Sequence, residues 1–144
     1  MALLSLMMRW LHLFSAITAV GASVFLRMAL LPTAMRLSTE ARTALLEGLA
    51  KPVRLLIHAS IGGLLVSGLY NTHVQWATTV FPYPLIYAAK ISLALTIFVV
   101  AILLTSSNPR WATFQSNRKK WLTLNVTLAA ILVGLSAYLR MLHR

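Results

Sequence analysis

PLIYAAKISLALTIFVVAILLT, residues 84–105, carries one formal charge, Lys90. At about 1.5 Å rise per residue this stretch is long enough to cross a hydrocarbon core of roughly 30 Å. Inside hydrocarbon every backbone N–H and C=O needs an internal partner, so the stretch reads as a helix. Charge gaps of the same kind flank it. Arg9 and Arg27 enclose 17 uncharged residues, and Arg54 and Lys90 enclose 35, enough for a helix and a loop. A further gap runs from Lys120 to Arg140. Four spans are predicted, at about 10–31, 53–70, 84–105 and 121–139.

Composition points the same way. The 144 residues are 59% hydrophobic and 10% charged, where soluble domains carry about 25% charge. Only two acidic residues are present, and neither is an aspartate. That excludes paired-carboxylate catalysis and an all-carboxylate metal cage. The absence of cysteine excludes disulfides, zinc fingers, iron–sulfur clusters and thiol catalysis. A net charge of +11 would suggest nucleic acid in a soluble protein, but here it reads as membrane orientation, and no nucleic-acid partner is expected. The expected fold is all-α: a single domain, 1–144, forming an integral membrane four-helix bundle in contact with lipid.

Lys and Arg set the orientation. Nine of them (Arg27, Arg36, Arg42, Lys51, Arg54, Arg110, Arg118, Lys119 and Lys120) fall in or beside the first and third loops. The loop 71–83 has none, and Arg9, Lys90, Arg140 and Arg144 belong to the other side. Both basic loops are expected in the cytoplasm, and both termini on the outer, periplasmic side of a bacterial inner membrane. The start of the first span fits a cleaved signal peptide poorly, because Arg9 follows Leu3, Leu4, Leu6 and two methionines. It reads as a retained helix. Prolines 32, 52, 82, 84 and 109 punctuate the span ends, and four tryptophans lie near them as an interfacial belt. In the first loop, Ser38 and Thr39 can cap a short helix, 40–49, with Gly48 near its end. That helix is expected to lie on the membrane surface, with Leu45, Leu46 and Leu49 toward lipid.

Ionisable residues inside spans are costly and point to function. His12, Lys90, His58 and, at the inner edge, Arg27 qualify, with His73 and Asn125 near span boundaries. His12, His73 and Lys90 share the outer leaflet, with Lys90 roughly 9 Å deep, whereas His58 is nearer the cytoplasmic face. His73 is expected in a loop, Arg27 is expected to reach the inner headgroups, and Asn125 reads best as an interhelical hydrogen-bond donor. On the first helix His12, Ala16, Ala19 and Ser23 form a stripe of small residues that leaves room for close packing or a flat ligand. A neutral histidine or lysine can ligate haem iron, and Lys90, Arg9 or Arg140 suits haem propionates. Met7, Met8, His12, Met141 and His143 suggest copper as the rival ligand.

Several short motifs carry a resemblance. Trp10-Leu11-His12 with Gly21 and Arg27, Lys51-Pro52-Val53-Arg54 with Ser67-Gly68-Leu69, Tyr87-Ala88-Ala89-Lys90-Ile91-Ser92-Leu93, and Trp121-Leu122-Thr123-Leu124-Asn125 together resemble the copper resistance protein D-like superfamily and its HemJ-type protoporphyrinogen oxidases. The resemblance implies a four-helix scaffold, haem b, and functional roles for His12 and Lys90. After Asn125 stands Val126, where the oxidases carry an acidic residue and a proline, so the oxidase reaction itself is not implied.

The expected function is a b-type haem membrane protein that transfers electrons or oxidises a porphyrin- or quinol-like substrate. His12 is the expected axial ligand, Lys90 the second ligand or propionate partner, and His73 a candidate for the opposite axial position. His58, Arg9, Arg140 and Asn125 are weaker candidates. The alternatives are a copper-handling membrane protein and a non-catalytic membrane subunit or scaffold. A redox partner and a homodimer are the expected assemblies.

Overall fold

A computed structural model of the protein describes residues 2–78 and 84–142. Among the described residues the chain is helical and has no strand. Its elements are α1 (Ala2–Phe25), a π-helical turn (Leu26–Leu30), α2 (Leu31–Ala34), α3 (Thr39–Thr78), α4 (Pro84–Thr105), a 3-10 turn (Pro109–Trp111), α5 (Ala112–Ser116) and α6 (Arg118–Leu142). Four helical rods are long and apolar enough to cross a membrane. The first of them joins α1, the π turn and α2 without a break.

Pro32 does not end the first rod. A proline inside a helix lacks an N–H and crowds the carbonyl four residues earlier, here that of Met28. The π turn lies immediately upstream and supplies the slack: the N–H of Leu31 reaches the carbonyl of Leu26, five residues back.

The expected break between a surface helix 40–49 and a span starting near residue 53 is also absent. α3 is one helix of 40 residues with Pro52 inside it. The carbonyl that Pro52 leaves without its helical N–H is that of Gly48. At about 1.5 Å per residue α3 is roughly twice as long as the hydrocarbon core is thick, so its charged first third projects beyond the apolar layer. Ser38 does cap this helix, its Oγ accepting the Ala41 N–H at 3.3 Å. Leu46 and Leu49 are half-buried rather than spread on a surface, and both wall a cavity with Leu26 and Leu30. The helix stands against the bundle, so its leucines pack inward.

At its other end α3 runs past Tyr70 to Thr78, so His73 is helical. No glycine or proline follows Gly68 to stop the helix, and Thr72 Oγ1 bonds back to the Gly68 carbonyl at 2.7 Å. Residues 79–83, with Pro82, lie outside the described residues. α4 covers the 84–105 stretch, and α6 begins three residues before Trp121.

α1 packs chiefly on α3, and α4 on α6. Burial is inverted relative to a soluble protein. Leu85 and Leu55 are 82% and 72% exposed, whereas Ser67 and Ala34 are 0% and 1% exposed. Lipid is as apolar as leucine, so helices associate through close packing and polar contacts. Ser15 on α1 lies against Gly63 on α3, where a Cβ would collide with its Oγ. Two small apolar layers complete the interior: Ile57, Ile61 and Ala101, then Val100, Leu104 and Leu122 nearer the basic loops. Phe114 stacks on Trp121 with centroids 4.1 Å apart, seating α5 on α6.

Candidate functional site

A ladder of polar pairs runs along the α1–α3 seam. Ser5 Oγ meets Tyr70 Oη at 3.1 Å, His12 Nδ1 meets Ser67 Oγ at 3.0 Å, and Ser15 meets Gly63. Each step along α1 toward the basic loops is matched by a step back along α3, as antiparallel helices require. His12 is half-buried, and its ring packs over Gly68, whose missing Cβ would stand 3.8 Å from Cε1.

His12 Nδ1 and Ser67 Oγ form one hydrogen bond, and Ser67 Oγ also lies 2.5 Å from the Gly63 carbonyl. When Ser67 gives its one hydrogen to that carbonyl, it accepts from His12 Nδ1–H and leaves Nε2 with the lone pair that can take a metal or accept a proton.

Lys90 on α4 is half-buried and close enough to His12 for the two to interact electrostatically. One turn earlier on the same helix, Tyr87 Oη lies 2.6 Å from Thr72 Oγ1. Thr72 Oγ1 also lies 2.7 Å from the Gly68 carbonyl, and either hydroxyl can donate in the Thr72–Tyr87 pair. Three helices thus bring together His12, Ser67, Thr72, Tyr87 and Lys90. The chain's only acids, Glu40 and Glu47, are exposed in the first third of α3 and are not part of this group.

The other candidates lie apart from it. His73 is exposed, five residues beyond Gly68, and so points about 140° around α3 from the His12 contact. His58 is exposed about 14 Å along α3 from Ser67. Arg9 is exposed; the side chain of Arg140, and His143 and Arg144 altogether, lie outside what the structure describes. Arg27 donates Nε to Thr123 Oγ1 at 2.7 Å, tying the π turn to α6. Asn125 is 3% exposed, and its Oδ1 has no hydrogen-bond partner. Met7 and Met141 are 59% and 72% exposed, and no group of three or more His, Cys, Asp or Glu converges on a metal position among the described residues.

Sequence reasoning found His12 and Lys90 by depth. It quoted Ser67 and Tyr87 only within short motifs, with no role of their own, and passed over Thr72. The available signal was hydroxyl spacing: Ser67 and Thr72 flank Gly68 on the His12 side, and Tyr87 lies three residues before Lys90. Compared with known protein families, curated proteins and solved structures, the chain matches none.

Proposed function

We propose that the protein is a multi-pass b-type haem protein of a bacterial inner membrane that carries electrons, with both termini on the periplasmic side. The observation that supports this most directly is the His12–Ser67 hydrogen bond, which lets Ser67 hold Nδ1–H and leaves Nε2 for iron, as in histidine ligation. His12 would hold the iron, Ser67 would orient the ring, and Lys90 would pair with a propionate. Haem b supplies a one-electron couple when bound. The half-buried Lys90 charge beside the site would favour the electron-rich state. Oxidation of a porphyrin- or quinol-like substrate is the weaker form of the proposal, because no carboxylate stands near His12 to accept a substrate proton.

Visible spectra of the detergent-purified protein from haem-replete cells, oxidised and dithionite-reduced, test the proposal. The expected result is a Soret band with sharp reduced α and β bands. His12→Ala should abolish them, and Ser67→Ala should lower haem retention by about 10–100-fold. Lys90→Ala should keep the bands and move the midpoint potential negative. A featureless wild-type spectrum ends the haem reading.

A further inference from the structure

At the basic-loop end, the last carbonyls of α4 are held by side chains from other helices. Arg54 donates Nε to Thr105 O at 2.8 Å, and Arg118 donates Nη2 to Leu104 O at 3.4 Å. Gln115 Nε2 reaches the carbonyls of Leu103 and Ser106 at 3.1 and 2.7 Å. These contacts draw two half-buried arginines to the wall of one cavity of about 200 Å³, room for about seven waters. Each guanidinium has five N–H donors, and one of them is engaged at α4. No carboxylate pairs with either arginine among the described residues, since Glu40 and Glu47 are both exposed. Leucines, among them Leu26, Leu30, Leu49 and Leu104, make up most of the remaining wall, with Thr105, Ser106 and Gln115 as its other polar groups.

A second feature adjoins the first. An open apolar groove of about 450 Å³ runs between α1 and α3, past Gly21, whose missing side chain leaves open space. Leu26, Leu30, Leu49 and Val53 wall both the groove and the cavity. Two uncompensated cations, a polar pocket and an adjoining apolar channel into the membrane match one kind of molecule.

We propose that this site seats an anionic phospholipid of the leaflet on the basic-loop side. Its phosphate is bound by Arg54 and Arg118, and one acyl chain lies in the α1–α3 groove. A free anion would satisfy the arginines and leave the leucines wet. A neutral lipid would fill the groove and leave the charges uncompensated. The site is separate from His12 and Lys90 and does not depend on haem.

Native mass spectrometry of the full chain in detergent, with phosphatidylglycerol, diacylglycerol or inorganic phosphate added, tests this. Wild type should retain phosphatidylglycerol about thirtyfold better than diacylglycerol, the product of two charged contacts. Arg54→Gln with Arg118→Gln should erase that preference. Leu30→Trp, which fills the shared wall and leaves both arginines in place, should weaken retention of phosphatidylglycerol independently, so the test survives if the double variant does not fold. Lys119→Gln with Lys120→Gln, both exposed, should change nothing. Three outcomes would overturn the proposal: equal retention of the two lipids by wild type, an equal loss in the Lys119/Lys120 control, or phosphate alone binding as tightly as the lipid. The last would assign the arginines to a free anion.

Discussion

Ser67 is the most buried side chain among the described residues and has two polar neighbours at once, the Gly63 carbonyl and the His12 ring. Gly63, one turn away, shows how small the tolerance of the same seam is. A Cβ there meets the Ser15 hydroxyl, whereas the neighbouring Gly62 has open space. Gly63→Ala is therefore expected to destabilise the protein by about 1–3 kcal/mol through overpacking. Gly62→Ala should be neutral or stabilising by up to about 1 kcal/mol, since helical glycine is entropically costly. Thermal unfolding in detergent separates the two, and equal melting temperatures would mean that Ser15 rotates away without cost. Asn125 is the opposite case, a buried amide oxygen left without a partner in an otherwise apolar layer, and nothing in the structure explains it.

At the level of elements, prolines bend the rules of this chain without breaking its helices. Pro32 is absorbed by a π turn, and α3 runs straight through Pro52, so both rods remain continuous. The end of α4 is more demanding. Its last carbonyls have no helical partner, and Arg54, Gln115 and Arg118 supply the donors that water would otherwise supply. Gln115→Ala removes two of these bonds at once. A loss of about 1–3 kcal/mol is expected if either carbonyl stays dry. Chemical denaturation in mixed micelles measures it, and an unchanged midpoint would place both carbonyls in contact with water.

For the whole molecule, four membrane-crossing helices would leave both termini on one side, and the proposed topology, read from the lysine and arginine distribution, makes that side periplasmic. The absence of cysteine makes the prediction easy to check. Single cysteines at the exposed Thr43 and Ser116 should resist a membrane-impermeant maleimide in intact spheroplasts and react after lysis. A cysteine at the exposed Ala2 should react in both. The reverse pattern would invert the topology and move the phospholipid site to the other leaflet.

Composition and charge spacing by themselves determined that the chain is helical, that four segments can span a bilayer, and that 84–105 is one of them. These follow from local physics: hydrocarbon leaves the backbone only its own partners, and a charge inside a span is costly wherever the neighbours are. Depth arithmetic also singled out His12 and Lys90. What it left open needed three dimensions. α3 runs through Pro52 and on past His73, so neither the proline nor the end of the apolar run marked its limits. Which hydroxyl faces an imidazole depends on the register of α1 against α3, and that register follows from small residues meeting across the seam. Only the packed helices brought Tyr87 to Thr72, and Arg54 and Arg118 to one cavity, because each of those meetings joins residues on different helices.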